Sequence, residues 1–92
     1  MAGGEQREVH FEGHVQGVGF RYTARAIAAR YDVTGFVRNL YDGRVQLVVE
    51  GAADELDGFL AELGRAMEGY VRRTGVQKTP ATGEFQDFEI RF

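Results

Sequence analysis

Val9 and Phe11 alternate with His10 and Glu12, the period of a strand buried on one face. Residues 1–6 ahead of them are small and polar and are expected to form a mobile leader. A glycine-rich run follows. From Phe20 to about Tyr31 the apolar positions are Phe20, Ala24, Ile27, Ala28 and Tyr31, which share one helical face, with Arg21, Arg25 and Arg30 elsewhere around it. Asp32 and Gly35 bracket the exit into a second strand, Val33 to about Leu40. Tyr41-Asp42-Gly43 marks a hairpin turn, because Asp42-Gly43 readily takes the left-handed positions such a turn needs. The third strand, Arg44–Glu50, turns Val45, Leu47 and Val49 to one side and ends at Gly51. A second helix is expected from Asp54, as N-cap, to about Met67, with Leu56, Phe59, Leu60, Leu63 and Met67 as its stripe. Gly58 and Gly64 weaken it.

Beyond the second helix the pattern is less regular. Tyr70–Lys78 has the length of a fourth strand, but it alternates poorly and Gly75 interrupts it. Residues 79–83 (Thr-Pro-Ala-Thr-Gly) form a loop, and Phe88, Ile90 and Phe92 alternate as a closing strand. The order is strand, helix, strand, strand, helix, strand, with an additional strand at the end. Two amphipathic helices can cover one face of an antiparallel sheet of four to five strands, which gives a two-layer α+β sandwich.

Composition narrows the choice of partner. The 92 residues hold one domain, spanning 1–92, and an apolar fraction of 43% suffices for a packed core. Lys+Arg 11 against Asp+Glu 14 gives a net charge of −3, which argues against a general nucleic-acid binder. Lys78 is the sole lysine. With no cysteine there is no disulfide, thiolate chemistry or Cys-ligated zinc, and with no serine there is no serine nucleophile. The first residues lack the basic and apolar regions of a signal peptide, and no apolar run approaches membrane-spanning length. A cytoplasmic monomer without membrane or nucleic-acid partners is expected.

Candidate chemistry is concentrated in Gly13-His14-Val15-Gln16-Gly17-Val18-Gly19-Phe20-Arg21. Glycines let a strand-to-helix loop fold its N–H groups around an anion, and the helix start adds the positive end of its dipole. Arg21 would add a permanent charge whose planar fork matches phosphate oxygens. A glycine-rich turn can also exist only to solve a geometric problem, and Arg21 alone could be an ordinary surface arginine.

The same stretch resembles the signature of the acylphosphatase family, G-x-V-Q-G-V-x-F-R, at every fixed position from Gly13 to Arg21. A second block, Gly35-Phe36-Val37-Arg38-Asn39-Leu40-Tyr41-Asp42-Gly43-Arg44-Val45, is similar to that family's G-x-V-x-N-x-x-D-G-x-V. Glu50-Gly51 and the closing residues 88–92 continue the likeness. The family's usual Gly-Pro connection before the fourth strand is missing, since Gly64–Gly69 stands there and the only proline is Pro80. This leaves the register of the fourth strand open.

The resemblance implies a ferredoxin-like fold and hydrolysis of small-molecule acyl phosphates, with no cofactor or metal. It also implies two functional residues, Arg21 and Asn39. The leaving carboxylate of an acyl phosphate is a weak base, so no strong general acid is required. The task is to hold the phosphoryl group, neutralise its charge and align a water behind phosphorus. The loop, Val15, Gln16, Gly17, Val18, Gly19 and Phe20, suits the first role together with Arg21. Asn39 suits the positioning of water, although asparagine is also ordinary at the start of a turn. Because an amide is too weakly basic to take the water's proton, a substrate phosphate oxygen is the expected acceptor.

Other residues carry weaker signals. His10 and His14 share no helical face and no acidic cluster completes a metal site; both are expected to be solvated. Asp42 is expected to form the turn, and Asp54, Glu55 and Asp57 to favour a helix start. Tyr22, Tyr31 and Tyr41 are expected to pack or to line a rim. Two rival functions remain: a non-catalytic anion-binding or interaction domain on the same fold, and an RNA-binding sheet. The latter would need aromatics exposed on adjacent central strands.

Overall fold

Val9, Phe11, Val37, Val45, Leu47 and Val49 all point to one side of a sheet and are buried. They meet the apolar stripes of two helices, Phe20, Ala24 and Ile27 from one and Leu56, Phe59 and Leu63 from the other. Each large side chain so buried contributes about 1.5–3 kcal/mol. The computed structural model describes residues 4–92. Its elements are β1 (Gly4–Gly13), α1 (Phe20–Ala28), β2 (Val33–Asn39), β3 (Val45–Ala52), α2 (Ala53–Ala66), β4 (Val71–Pro80) and β5 (Phe88–Arg91). The sheet order is β4-β1-β3-β2-β5, with both helices on one face. This is the ferredoxin-like α+β sandwich extended by one edge strand.

That edge strand corrects the expected antiparallel sheet, because β5 pairs parallel with β2 and the sheet is mixed. The cause is the connection: β4 and β5 occupy opposite edges, so the intervening chain must cross a face and enters β5 alongside β2. The crossing runs over the helix-free face. There the Glu50 carboxylate accepts from Thr82 N, Thr82 Oγ1, Gly83 N and Gln6 Nε2, and Phe85 packs on Phe36. Burial works to raise the Glu50 pKa, and these hydrogen bonds from Thr82, Gln6 and Gly83 outweigh it, holding the carboxyl below its ordinary value.

Five local expectations also change. Within the expected leader, residues 4–6 belong to β1, paired with residues 50–52 of β3, while residues 1–3 lie outside the described residues. β4 is a strand through Pro80, so Thr79 and Pro80 leave the loop. Pro80 is tolerated because it ends an edge strand, and Gly75 sits opposite His10 without breaking the ladder. Helix α2 begins two residues early, with Ala52 as N-cap and no side-chain cap, so Asp54 lies in the first turn. Helix α1 stops at Ala28, and Tyr31 instead hydrogen-bonds Glu62 at 2.9 Å and packs edge-on against Phe59. Gly51, expected to end the third strand, is inside it.

Arg7 is nearly buried on the helix side of β1, where its Nη1 reaches Asp57 of α2 at 2.6 Å. The pair pins α2 to the sheet and keeps a buried cation from standing alone.

Candidate active site

The end of β1, the start of α1 and the turn between β2 and β3 meet at one end of the sheet. Val15, fully buried, anchors the loop leaving β1. Gln16 then points its amide away from the loop interior: Nε2 donates to the carbonyl oxygens of Leu40, at 2.8 Å, and Arg44, at 3.0 Å. This ties the loop to the turn that follows Asn39. Gly17 and Gly19 have φ of 79° and 78°, and a Cβ at either would meet nothing within 4 Å. They are needed for left-handed backbone rather than for space. Gly19 is also the N-cap of α1, with no side-chain cap bond and no acidic residue in the first turn. The helix therefore opens with uncapped N–H groups and an uncompensated positive dipole end.

Val15, Gly17, Gly19, Phe20, Arg21, Tyr22 and Asn39 line a cavity of about 280 Å³ at this point. The structure thus brings Arg21, from the first turn of α1, and Asn39, the last residue of β2, to one space. Of the expected loop, Val15, Gly17, Gly19 and Phe20 line the cavity. The Gln16 side chain is turned to the β2–β3 turn, and Val18 packs against the core. Arg21 is half-buried, its Nη1 makes a long 3.4 Å contact with the Arg91 carbonyl, and its guanidinium carbon lies 4.7 Å from the Phe92 ring centre. Residues 91 and 92 thus lie against the arginine side chain. Among the described residues none hydrogen-bonds the Asn39 carboxamide, which is free to face the cavity.

The residues described by the acylphosphatase profile are 7–90, nearly the whole chain. An acylphosphatase of Methylococcus capsulatus is 45% identical over 80 residues, covering 85% of this chain and 86% of that relative. One from Methanospirillum hungatei is 42% identical over 81 residues, covering 86% and 88%. The crystal structure of acylphosphatase from Bacillus subtilis superposes with a TM-score of 0.86 at 28% identity, over 96% of this chain and 99% of that one. The chain belongs to the acylphosphatase family. It is a hydrolase of acyl phosphates, the mixed anhydrides of a carboxylic acid and phosphate.

Within this acylphosphatase, Tyr22, expected to pack or to line a rim, lines the cavity itself, although the sequence pattern did not place it among the site residues. Nothing but its place beside Arg21 on the polar side of α1 could have signalled it. His14, by contrast, lines a separate and larger cleft of about 440 Å³ with Glu12, Gly13, Arg72 and Arg73, beside β4. Its ring lies 6.3 Å from that of Tyr70, and Arg73 contacts Glu12 at 4.0 Å. Neither Arg21 nor Asn39 reaches that cleft. His10 is half-exposed on the helix-free face, 3.7 Å from Glu8.

Asp42 shapes the turn beyond Asn39. The Arg44 backbone N–H at 3.1 Å, and then the Arg44 guanidinium at 2.8 Å, hold its carboxyl below the ordinary value. Gly43 N donates to Leu40 O at 3.2 Å and closes the turn. Among the described residues no group of three or more His, Cys, Asp or Glu could hold a metal ion.

Proposed function

We propose that acyl phosphates are hydrolysed in the cavity between the 15–20 loop and the end of β2, with Arg21 and Asn39 as the two catalytic residues. The loop amides from Val15 to Phe20, the α1 N-terminus and the Arg21 guanidinium bind the phosphoryl oxygens. Their donors are fixed before substrate arrives, so they stabilise charge without reorganising as the transition state forms. An arginine in this role is worth about 10³–10⁵ in rate in other phosphoryl-transfer enzymes. Asn39 accepts a hydrogen bond from a water through its amide oxygen and aligns it behind phosphorus. The water oxygen bonds to phosphorus as the bond to the acyl oxygen breaks. The carboxylate departs with that electron pair, and the water's proton passes to a phosphate oxygen. The sharing of one cavity by Arg21 and Asn39 is the observation that carries this reading.

Three further properties belong to the same proposal: action without a metal, as a monomer, and in the cytoplasm without membrane or nucleic-acid partners. No described helix is long and apolar enough to cross a membrane. The β4 edge carries Arg72, Arg73 and Lys78, whose like charges oppose pairing with a second copy. On the helix-free face the central strands β1 and β3 present Glu8, His10, Gln46 and Val48, with no exposed Phe, Tyr or Trp for bases to stack on. Phe36 on β2 is covered by Phe85 and Arg91.

Benzoyl phosphate hydrolysis, followed continuously with a chelator present, tests the proposal. Arg21→Ala should lose turnover and inhibition by inorganic phosphate together. Asn39→Ala should lose turnover and keep that inhibition. Equal loss of both in Asn39→Ala would make Asn39 structural, and loss of activity with chelator would overturn the metal-free mechanism. Phosphate binding without turnover in the unsubstituted protein would favour a non-catalytic anion-binding domain.

A further inference from the structure

The cavity of about 280 Å³ exceeds what the reacting centre needs. A water's share of volume is about 30 Å³, so a phosphoryl group and its attacking water take well under half of it, and the acyl part of the substrate takes the rest, towards the mouth. The wall there that the phosphoryl group does not use is Tyr22, which is 56% exposed although it lines the cavity. The Arg25 guanidinium lies 5.3 Å from the Tyr22 ring centre, one helical turn further along α1. In-line displacement puts the leaving carboxylate opposite the water. Asn39 projects from the end of β2 and Tyr22 from α1, so water and leaving group are served by different walls.

We infer that Tyr22 is the platform for the leaving acyl group, and that this enzyme favours acyl phosphates whose acyl group is flat and unsaturated, such as an aroyl group, over short alkyl ones. An exposed tyrosine face offers stacking to a planar group at little ordering cost, because a tyrosine has only two side-chain torsions to fix. A methyl group covers little of the ring and gains little. The inference rests on the phosphoryl group occupying the cavity as proposed above.

Competition between benzoyl phosphate and acetyl phosphate reads it out. For the unsubstituted enzyme and for Tyr22→Phe, Tyr22→Leu and Tyr22→Ala, the benzoyl-to-acetyl ratio of kcat/KM is measured beside the inhibition constant of inorganic phosphate. Tyr22→Ala should lower that ratio by about three- to tenfold, the scale of one aromatic pair. Tyr22→Phe should keep it, Tyr22→Leu should lose most of it, and phosphate inhibition should stay constant, because phosphate has no acyl group. A ratio unchanged in Tyr22→Ala overturns the platform while leaving the phosphoryl site intact. Weakened phosphate inhibition in Tyr22→Ala would assign Tyr22 to the phosphoryl group and also overturn it. An unsubstituted enzyme that is not inhibited by phosphate would bring down the underlying proposal instead.

Discussion

Glu50→Ala should destabilise this protein far more than loss of an ordinary sheet carboxylate. Glu50 is nearly buried on the helix-free face, where Gln6 Nε2 at 2.7 Å, Thr82 N at 2.9 Å, Thr82 Oγ1 at 2.8 Å and Gly83 N at 3.0 Å all donate to it. Bonds to a charged acceptor are worth about 1.5–3 kcal/mol each, but donors on the crossing segment return to water when it lifts, so they do not sum. A loss of about 2–4 kcal/mol is expected, which for a domain of this size lowers Tm by about 10–25 °C. Urea unfolding at neutral pH measures the first quantity, and amide exchange at Thr82 and Gly83 shows whether the crossing segment is released. Glu50→Gln keeps one acceptor oxygen but faces the same donors with an NH₂ group, and should fall between.

The pH dependence follows from the same contacts. The folded pKa of Glu50 lies below its ordinary 4.5, so its contribution is complete above that value and fades as pH falls through the lower folded one. The stability gap between the unsubstituted protein and Glu50→Ala should therefore be constant near neutrality and narrow in acid. A gap under about 0.5 kcal/mol, within the range of ordinary surface substitutions and with both amides still protected, would refute the reasoning.

Gln16→Ala removes two hydrogen bonds from the loop to the β2–β3 turn; it should cost about 1–2 kcal/mol in urea unfolding and raise KM more than it lowers kcat. Gly19→Ala forces a side chain to φ 78° with no steric contact, so the loss should be the backbone cost alone, about 1–2 kcal/mol, with reduced phosphate affinity. Asp57→Ala leaves Arg7 buried with only the 3.5 Å Glu5 contact. Because Asp57 itself is largely exposed, about 1–2 kcal/mol is expected, and Arg7→Met in the same protein should recover most of it.

What could be read from the chain, and what could not, divides along physical lines. Phe20, Ala24 and Ile27, or Val45, Leu47 and Val49, announce their elements because each stripe is buried by neighbours close in the chain's own pattern. β4 has no such signature: every residue from Arg72 to Pro80 is exposed, so burial imposes no alternation, and only backbone pairing to β1 makes it a strand. The parallel entry of β5 was equally hidden, because direction is set by which face the 81–87 segment crosses, and that choice is made by Glu50, thirty-two residues from Thr82. The site shows the same split. Arg21 stands out as a charge one residue beyond a glycine-rich loop at a helix start, whereas Asn39, ordinary at the start of a turn, is marked only by the resemblance to the acylphosphatase pattern. Tyr22 could be read only as a packing or rim residue, since an exposed helical tyrosine obeys no local rule; its position acquires meaning only when the end of β2 closes the cavity opposite. A residue whose work is to meet the variable part of a substrate has no fixed backbone demand to betray it, so specificity should be the last property legible in any sequence of this kind, and the structure is where it first becomes arguable.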